Sequence, residues 1–294
     1  MTKILHVSNQ SFKSSQIIKD LILRIQIQEI YKKQISKIKK NPFVVFKDDA
    51  ISNQIIAQDI YEGYELRTLS SYFETNKKIK FKNKIFIDVG ANLGNHSIFF
   101  SKIFKKVITF EPNPIVFPLL KYNTSFYKNI KNFNFGLFDE NKSKILNVVN
   151  FNFAGSSLKH DNYSHKNYKK VKLKKLDSLN LKGRIGLIKI DVENSEFEVL
   201  KGSHKTIKRH KPTILFEQQS SEIKNFTSRS ILLLKKYNYS FFCFYIPQLN
   251  GFFLSRMFKK ITSIFFGQKI YIIKINKFKK KNYNMILAIH NNFL

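Results

Sequence analysis

The sequence predicts an α/β fold in which a mostly parallel, seven-stranded sheet carries helices on both faces. From residue 83 onward, short apolar segments alternate with segments of helical period, an order that implies parallel strands joined by right-handed crossovers. Near the end of the chain, two apolar segments occur without a helical segment before the second, which predicts that the last strand is antiparallel. A chain of 294 residues is long enough for one such domain with additions.

The first 78 residues are interpreted as an N-terminal extension and a helix that leads into the domain, which then covers residues 79–294. Apolar and basic residues alternate at helical spacing over residues 15–40, which indicates a basic amphipathic helix. A short strand is expected at 43–46 and the leading helix at 62–73. Residues 248–282 are rich in Phe and Lys and are interpreted as a basic aromatic insertion.

The elements of the domain follow from local patterns. Asn95 is expected to cap the first core helix, and Asn113 with Pro114 to begin the second. A third helix is expected from Ser195. Two alternating segments, 144–150 and 169–173, stand where a helix would be expected. The strands predicted in chain order cover residues 85–87, 107–111, 133–138, 186–191, 213–217, 239–246 and 284–290.

A glycine-bearing turn follows the first predicted strand, in the stretch Asp-Val-Gly-Ala-Asn-Leu-Gly at residues 88–94. Such a turn lets a cofactor approach the backbone closely, and an acid at the tip of the next strand, here Glu111, can accept both hydroxyls of a ribose. The pattern therefore predicts a nucleoside pocket. The turn lacks the third glycine of the pyrophosphate fingerprint, and the acid Asp88 before it suits a cationic cofactor better than a dinucleotide.

Composition limits the classes of protein that need to be considered. The net charge of +32 is compatible with nucleic-acid binding, but the over-use of Lys, Asn, Ile and Phe is also what an AT-rich coding sequence produces. A single cysteine, Cys243, excludes a disulfide framework and a cysteine metal cluster. No apolar run approaches the roughly 18–20 residues of a membrane span, and the N-terminus lacks a secretory apolar region. We therefore expect a cytoplasmic protein.

Several motifs in collinear order over about residues 80–220 together resemble the FkbM family of S-adenosylmethionine-dependent methyltransferases. The resemblance implies a Rossmann-like class I methyltransferase fold, with S-adenosyl-L-methionine as the cofactor. Where the family usually has a glycine after a Val-Glu pair, this chain has Asn194, a residue type that tolerates a left-handed backbone better than most. The motifs lie at residues 86–94, 110–114, 176–179, 189–196, 200–202 and 214–217.

The resemblance also implies which residues bind the cofactor. Gly90, Gly94 and Ala91 would let the methionine part approach the backbone, and Glu111 would accept the ribose hydroxyls. Asp88 would reach the cofactor ammonium through the loop or a water, or else would hold the loop by bonds to backbone amides. Asp139 would contact the adenine amino group, unless it is an ordinary turn acid. The complete predicted set is Asp88, Gly90, Ala91, Asn92, Gly94, Glu111, Asn113 and Asp139.

Methyl transfer requires an acceptor oxygen about 3–3.5 Å from the methyl carbon and a group that takes the hydroxyl proton. Asp191 is the first candidate for base or orienting group, Glu217 the second, and His96 the third unless it is only a solvated helix residue. The acids at 193, 196 and 198 are expected to favour the positive N-terminus of the helix that follows. Two neighbouring carboxylates are weak evidence for a cation, so no metal is predicted.

The function predicted from these features is O-methylation of a small-molecule or glycan acceptor, with a sugar hydroxyl of a surface-polysaccharide precursor or a polyketide-like hydroxyl as the target. One alternative is a nucleic-acid methyltransferase. The segment after the fourth strand lacks the prolines that base methylases use to grip a flipped base, which argues against base methylation, whereas ribose methylation of RNA stays open. We expect no nucleic-acid partner. A second alternative is a membrane-surface protein with an idle pocket. In that case residues 248–282 would contact the inner face of the membrane rather than form a lid.

Overall fold

The computed structural model describes residues 42–47, 49–76, 78, 80–148, 168–245 and 270–294. The basic amphipathic helix predicted at 15–40 lies outside these residues, as do residues 248–269 of the predicted insertion. The strands, numbered in chain order, are β1 (Ile85–Val89), β2 (Lys106–Phe110), β3 (Ile130–Phe133), β4 (Gly136–Leu137), β5 (Lys142–Asn147), β6 (Tyr168–Lys174), β7 (Ile185–Ile190), β8 (Thr213–Gln218), β9 (Tyr239–Tyr245), β10 (Tyr271–Lys274) and β11 (Tyr283–His290).

The main sheet confirms the predicted architecture. Its strands lie in the order β10-β9-β11-β8-β7-β1-β2-β3, and the pairs from β8 to β3 are parallel. The last strand, β11, is antiparallel to both β8 and β9, as expected. The described sheet has eight strands rather than seven, because β10 pairs with β9 at the edge. Strand β10 was not predicted, because its four residues lie in a lysine-rich segment and are too few to give a recognisable strand pattern.

The place of the expected helix after β4 is taken by a second sheet of order β4-β6-β5. The two alternating segments of the sequence form β5 and β6, which pair antiparallel. Their inner face packs Leu146, Val171 and Leu173 against Phe138. The single strand predicted at 133–138 is divided between the two sheets, because β3 ends at Phe133 and β4 begins at Gly136.

The helices cover both faces of the main sheet. Side chains of α2 and α3 share one core with Phe86 and Leu215, while side chains of α5, α6 and α7 share the other with Ile87 and Phe216. Strands β1 and β7 are buried along their whole length, which explains their continuous apolar runs. None of the described helices has the length and apolar composition needed to cross a bilayer. The helices are α1 (Ala50–Gln58), α2 (Gly63–Thr75), α3 (Asn95–Ser101), α4 (Phe117–Thr124), α5 (Glu196–Gly202), α6 (His204–His210) and α7 (Arg229–Lys236).

Three local predictions were wrong. Residues 43–46 form no strand, because the backbone of Val44 bonds to the side chain of Asn123 at 2.7 and 2.9 Å instead of to a neighbouring strand. Gly94, not Asn95, caps α3, since Asn95 uses its side chain elsewhere. The second core helix, α4, begins three residues later than expected, after a turn closed by the Asn113 side chain.

Candidate functional site

A crevice opens at the carboxyl ends of β1, β2, β7 and β8, the edge at which open parallel sheets bind their ligands. Most of the predicted site residues lie on its wall. Gly94 and Asn113 do not line the crevice, although the backbone N–H of Asn113 donates to the Glu111 carboxylate. The predicted residues that line the crevice are Gly90, Ala91, Asn92, His96, Glu111, Asp191 and Glu217.

The glycine turn after β1 forms the floor of the crevice. Gly90 has φ +74°, and a Cβ atom there would lie 1.9 Å from the carbonyl oxygen of Asp191. The turn therefore packs backbone against backbone at the end of β7, which no side chain at residue 90 would allow. Gly94 has φ +91° and packs against Leu120, so its freedom serves the cap of α3 rather than the crevice wall.

Glu111 stands at the end of β2 and is 7% exposed. Its two carboxylate oxygens accept hydrogen bonds from the backbone amides of Asn92 and Asn113, each at 2.9 Å. Burial raises the pKa of Glu111 to about 7, although the two amide bonds oppose this shift. Each carboxylate oxygen has a second lone pair, so the group remains able to accept hydrogen bonds from a pair of neighbouring hydroxyls.

Asp88 is fully buried and does not line the crevice. Its Oδ2 accepts a hydrogen bond from the Ser97 hydroxyl at 2.5 Å, and its Oδ1 lies 3.6 Å from the ammonium of Lys189. Lys189 in turn donates to the carbonyl oxygen of Gly90 and contacts Asp191, both at 3.1 Å. Asp88 therefore contacts side chains rather than the backbone amides of the loop, and its contact with the cofactor ammonium stays a prediction.

No role was predicted for Lys189 from the sequence, yet its ammonium contacts Asp88 and Gly90 at the end of β1 and Asp191 at the end of β7. Burial favours its neutral form, but the carboxylates of Asp191 and Asp88 raise the pKa of Lys189 above its ordinary value, so it is a cation. The available signal was its position inside the apolar strand β7, where a charged side chain must be paired.

Asp139 also lies outside the wall of the crevice. Its Oδ2 pairs with Lys201 at 2.8 Å, and this pairing lowers the pKa of Asp139 although burial acts in the opposite direction. Its Oδ1 is buried and has no hydrogen-bond partner among the described residues. That oxygen is available to an amino group, so the contact with adenine stays a prediction.

Three carboxylates meet at the ends of β7 and β8. Oxygen atoms of Asp191, Glu193 and Glu217 all lie within 4.8 Å of one another. Burial and the charge of Asp191 raise the pKa of Glu193 to about 7, and burial with both neighbours raises that of Glu217 to about 8. Glu193 had been expected to favour a helix N-terminus, but its backbone is left-handed, with φ +50°, and its side chain faces the crevice.

Oxygen ligands of this kind suit a divalent cation, yet acidic groups commonly meet without one. The expectation of no metal stays a prediction. The acids at 196 and 198 do lie in the first turn of α5, as expected.

Part of the remaining wall comes from the turn between α1 and α2, which was predicted to belong to the N-terminal extension and the leading helix. Tyr61 and Glu62 line the crevice, and the Glu62 carboxylate lies 3.0 Å from Nε2 of His96. No signal in the sequence identified these residues, because their partners are 34 residues away along the chain.

Comparison with known proteins shows which family and which solved structures the chain is similar to. The family model described as the methyltransferase FkbM domain matches residues 88–241. No curated protein matches the sequence. Among solved structures, the chain is similar to a methyltransferase FkbM from Methylobacillus flagellatus KT, with 16% identity and a TM-score of 0.41 over 81% of this chain and 52% of that one. This chain therefore spans about half the length of that relative.

It is also similar to a precorrin 8W decarboxylase from Methanobacterium thermoautotrophicum. Here the identity is 12% and the TM-score 0.39, over 76% of this chain and 88% of that one.

Proposed function

The chain belongs to the FkbM family of methyltransferases, and we propose that it transfers the methyl group of S-adenosylmethionine to a hydroxyl oxygen. The matched residues 88–241 include the glycine turn, Glu111 and the carboxylates at the ends of β7 and β8. Family membership and the Rossmann-like methyltransferase fold confirm what the sequence predicted. The single observation that carries the choice of donor is the buried carboxylate of Glu111 facing the crevice.

The described residues fit this donor in shape and charge. Glu111 would accept the ribose hydroxyls, the backbone at Gly90 and Ala91 would meet the methionine part, and Asp139 would accept from the adenine amino group. The charged side chains among the described residues of the crevice wall are mostly acidic, and Lys189 is already paired with carboxylates. A sulfonium cation is favoured in such surroundings, and a pyrophosphate is not.

When bound, the donor would supply an activated methyl group, and the residues of the chain would hold the acceptor in position to receive it. Holding an acceptor oxygen about 3–3.5 Å from the methyl carbon in line with the breaking bond can provide several kcal/mol of rate enhancement. Asp191, held by Lys189 at 3.1 Å, is placed to orient the acceptor hydroxyl. Glu193 and Glu217, with pKa values of about 7 and 8, are partly protonated at neutral pH and can donate hydrogen bonds to an acceptor.

The three carboxylates at the ends of β7 and β8 favour a neutral, hydroxyl-rich acceptor such as a sugar. Carboxylates accept hydrogen bonds from hydroxyls, while they repel a phosphate or a carboxylate on the acceptor. Along the described part of the crevice wall, the carboxylates outnumber the single lysine, in contrast to the strong positive charge of the whole chain. Contact of residues 248–282 with the inner face of a membrane is a separate proposal.

Calorimetry tests the donor assignment directly. We expect S-adenosylmethionine and its product S-adenosylhomocysteine to bind the wild-type chain. The Glu111→Ala variant should bind about 100-fold more weakly or worse, because two charge-assisted hydrogen bonds of about 1.5–3 kcal/mol each are lost. Glu140→Ala, at an exposed position outside the crevice, is the matched control. An absence of binding, or equal binding by the Glu111 variant, would refute the assignment.

The acceptor class needs a transfer assay. Donor labelled in its methyl group is incubated with a neutral glycan fraction, an anionic glycan fraction and total RNA from the same cells. Label in the neutral glycan supports the proposal. Label confined to RNA would establish the ribose-methylation alternative, and label confined to the anionic glycan would refute the argument from crevice charge.

A further inference from the structure

The turn between α1 and α2 is fixed to the methyltransferase domain by the side chain of Asn95. The Tyr61 backbone N–H donates to the Asn95 Oδ1 at 3.1 Å, and the Asn95 Nδ2 donates back to the Tyr61 carbonyl at 3.0 Å. These two hydrogen bonds join a segment that precedes residues 88–241 to Asn95, the first residue of α3. The position of the turn relative to the crevice is therefore set by the domain itself.

The same turn holds Glu62 in an unusual conformation. Glu62 has φ +54°, a left-handed value that is uncommon for a residue other than glycine. Such strain costs about 1–3 kcal/mol and persists where surrounding contacts determine the geometry, often at functional sites. The result of this geometry is a contact of 3.0 Å between the Glu62 carboxylate and Nε2 of His96, with side chains only 17% and 6% exposed.

This contact determines which nitrogen of His96 is free. A carboxylate only accepts hydrogen bonds, so Nε2 must carry the proton and Nδ1 keeps its lone pair in the neutral ring. In the part of the chain that the structure describes, Nδ1 has no hydrogen-bond partner. The Tyr61 ring packs edge-on against the imidazole, with centroids 6.4 Å apart, and so limits its rotation.

The other candidates for proton acceptor are less suited to that role. The Asp191 carboxylate is already engaged by the ammonium of Lys189, at 3.1 Å. Glu217 shares its surroundings with two carboxylates and is partly protonated at neutral pH. His96 combines a buried position on the crevice wall, a free lone pair and an acidic partner behind it.

We propose that Glu62 is a positioning residue that holds His96 with Nδ1 facing the acceptor, so that His96 takes the hydroxyl proton during methyl transfer. In this step the acceptor oxygen forms a bond to the methyl carbon, the carbon–sulfur bond breaks, and its electron pair neutralises the sulfonium. The hydroxyl proton moves to Nδ1, and the imidazolium that forms is stabilised by Glu62 before it releases the proton to water. The proposal rests on the proposed methyltransferase function.

Nuclear magnetic resonance tests the positioning without donor or acceptor. Long-range proton–nitrogen correlation at neutral pH, with His96 assigned from the His96→Gln variant, should show a protonated Nε2, an unprotonated Nδ1 and a slowly exchanging Nε2–H. Glu62→Leu should lose this protection, whereas Glu62→Gln, which keeps an acceptor oxygen, should retain it. Glu65→Leu, one turn further along α2, is the matched control. A proton on Nδ1, or protection that persists in Glu62→Leu, would overturn the proposal.

Two further measurements separate positioning of His96 from donor binding. S-adenosylhomocysteine should bind Glu62→Leu with an affinity within about twofold of wild type, while the rate of methyl transfer to the glycan fraction falls by up to about 100-fold. The His96→Gln rate should fall about 10²–10⁴-fold. A tenfold loss of affinity in Glu62→Leu would make Glu62 a donor ligand, and an unchanged rate would also overturn the proposal. No transfer by wild type counts against the proposed function, whereas the resonance result still decides the orientation of His96.

Discussion

Replacing Lys189 by methionine should destabilise the chain strongly, because it leaves Asp88 as an uncompensated buried charge. Asp88 is 0% exposed; among the described residues its Oδ1 has no hydrogen-bond partner and lies 3.6 Å from the Lys189 ammonium. Removing one partner of such a pair costs about 3–5 kcal/mol. Asp191 adds less, since its side chain is 41% exposed and can be hydrated. The carbonyl of Gly90 also loses a donor, at about 1 kcal/mol.

Urea unfolding measures this loss as a shift of the midpoint at unchanged slope. The double variant Asp88→Asn with Lys189→Met should be more stable than Lys189→Met alone, because the charge that was left unpaired is gone. Lys142→Met, which breaks the exposed pair with Glu140, should leave the midpoint almost unchanged. A Lys189→Met chain as stable as wild type, or a double variant no better than the single one, would contradict the reasoning.

Other predictions concern single residues around the crevice. Burial raises the pKa of Glu196 to about 8, above its value in the unfolded chain. The stabilising contribution of protonated Glu196 is therefore complete below about pH 4.5 and lost by about pH 8. In urea titrations across this range, the free energy of unfolding should fall less for Glu196→Gln than for the wild-type chain. Asn194 has φ +72°, so its replacement by alanine should lower the free energy of unfolding by about 1–2 kcal/mol, whereas glycine should be tolerated. Thermal melting of the two variants would show this difference. Gly90→Ala should abolish S-adenosylhomocysteine binding in calorimetry, because its methyl group would collide with the carbonyl of Asp191.

The sequence was sufficient to predict the parallel sheet and the donor end of the crevice. Strands buried on both faces have continuous apolar runs, and β1 and β7 are of this kind. The proposed donor site was predicted from a glycine turn and a strand-end acid, which are local patterns, and the structure places Gly90 and Glu111 together on the crevice wall.

Features that depend on distant contacts were not predictable in the same way. The pair of Lys189 with Asp88 and the link of Asn95 to Tyr61 join residues far apart in the chain, and each depends on the completed fold. Strand β10 has only four residues and owes its conformation to the neighbour it pairs with. The side chain of Asn123, which replaces a strand as the partner of Val44, likewise leaves no local pattern.

The attachment of the turn at Tyr61 to Asn95 has a consequence for the crevice wall. The residues proposed to bind the nucleoside lie in the matched range 88–241, whereas Tyr61 and Glu62 belong to a preceding stretch that is joined to it by a pair of amide contacts. Substitution within that stretch would therefore change the crevice wall beside His96 while leaving the proposed donor-binding residues as they are.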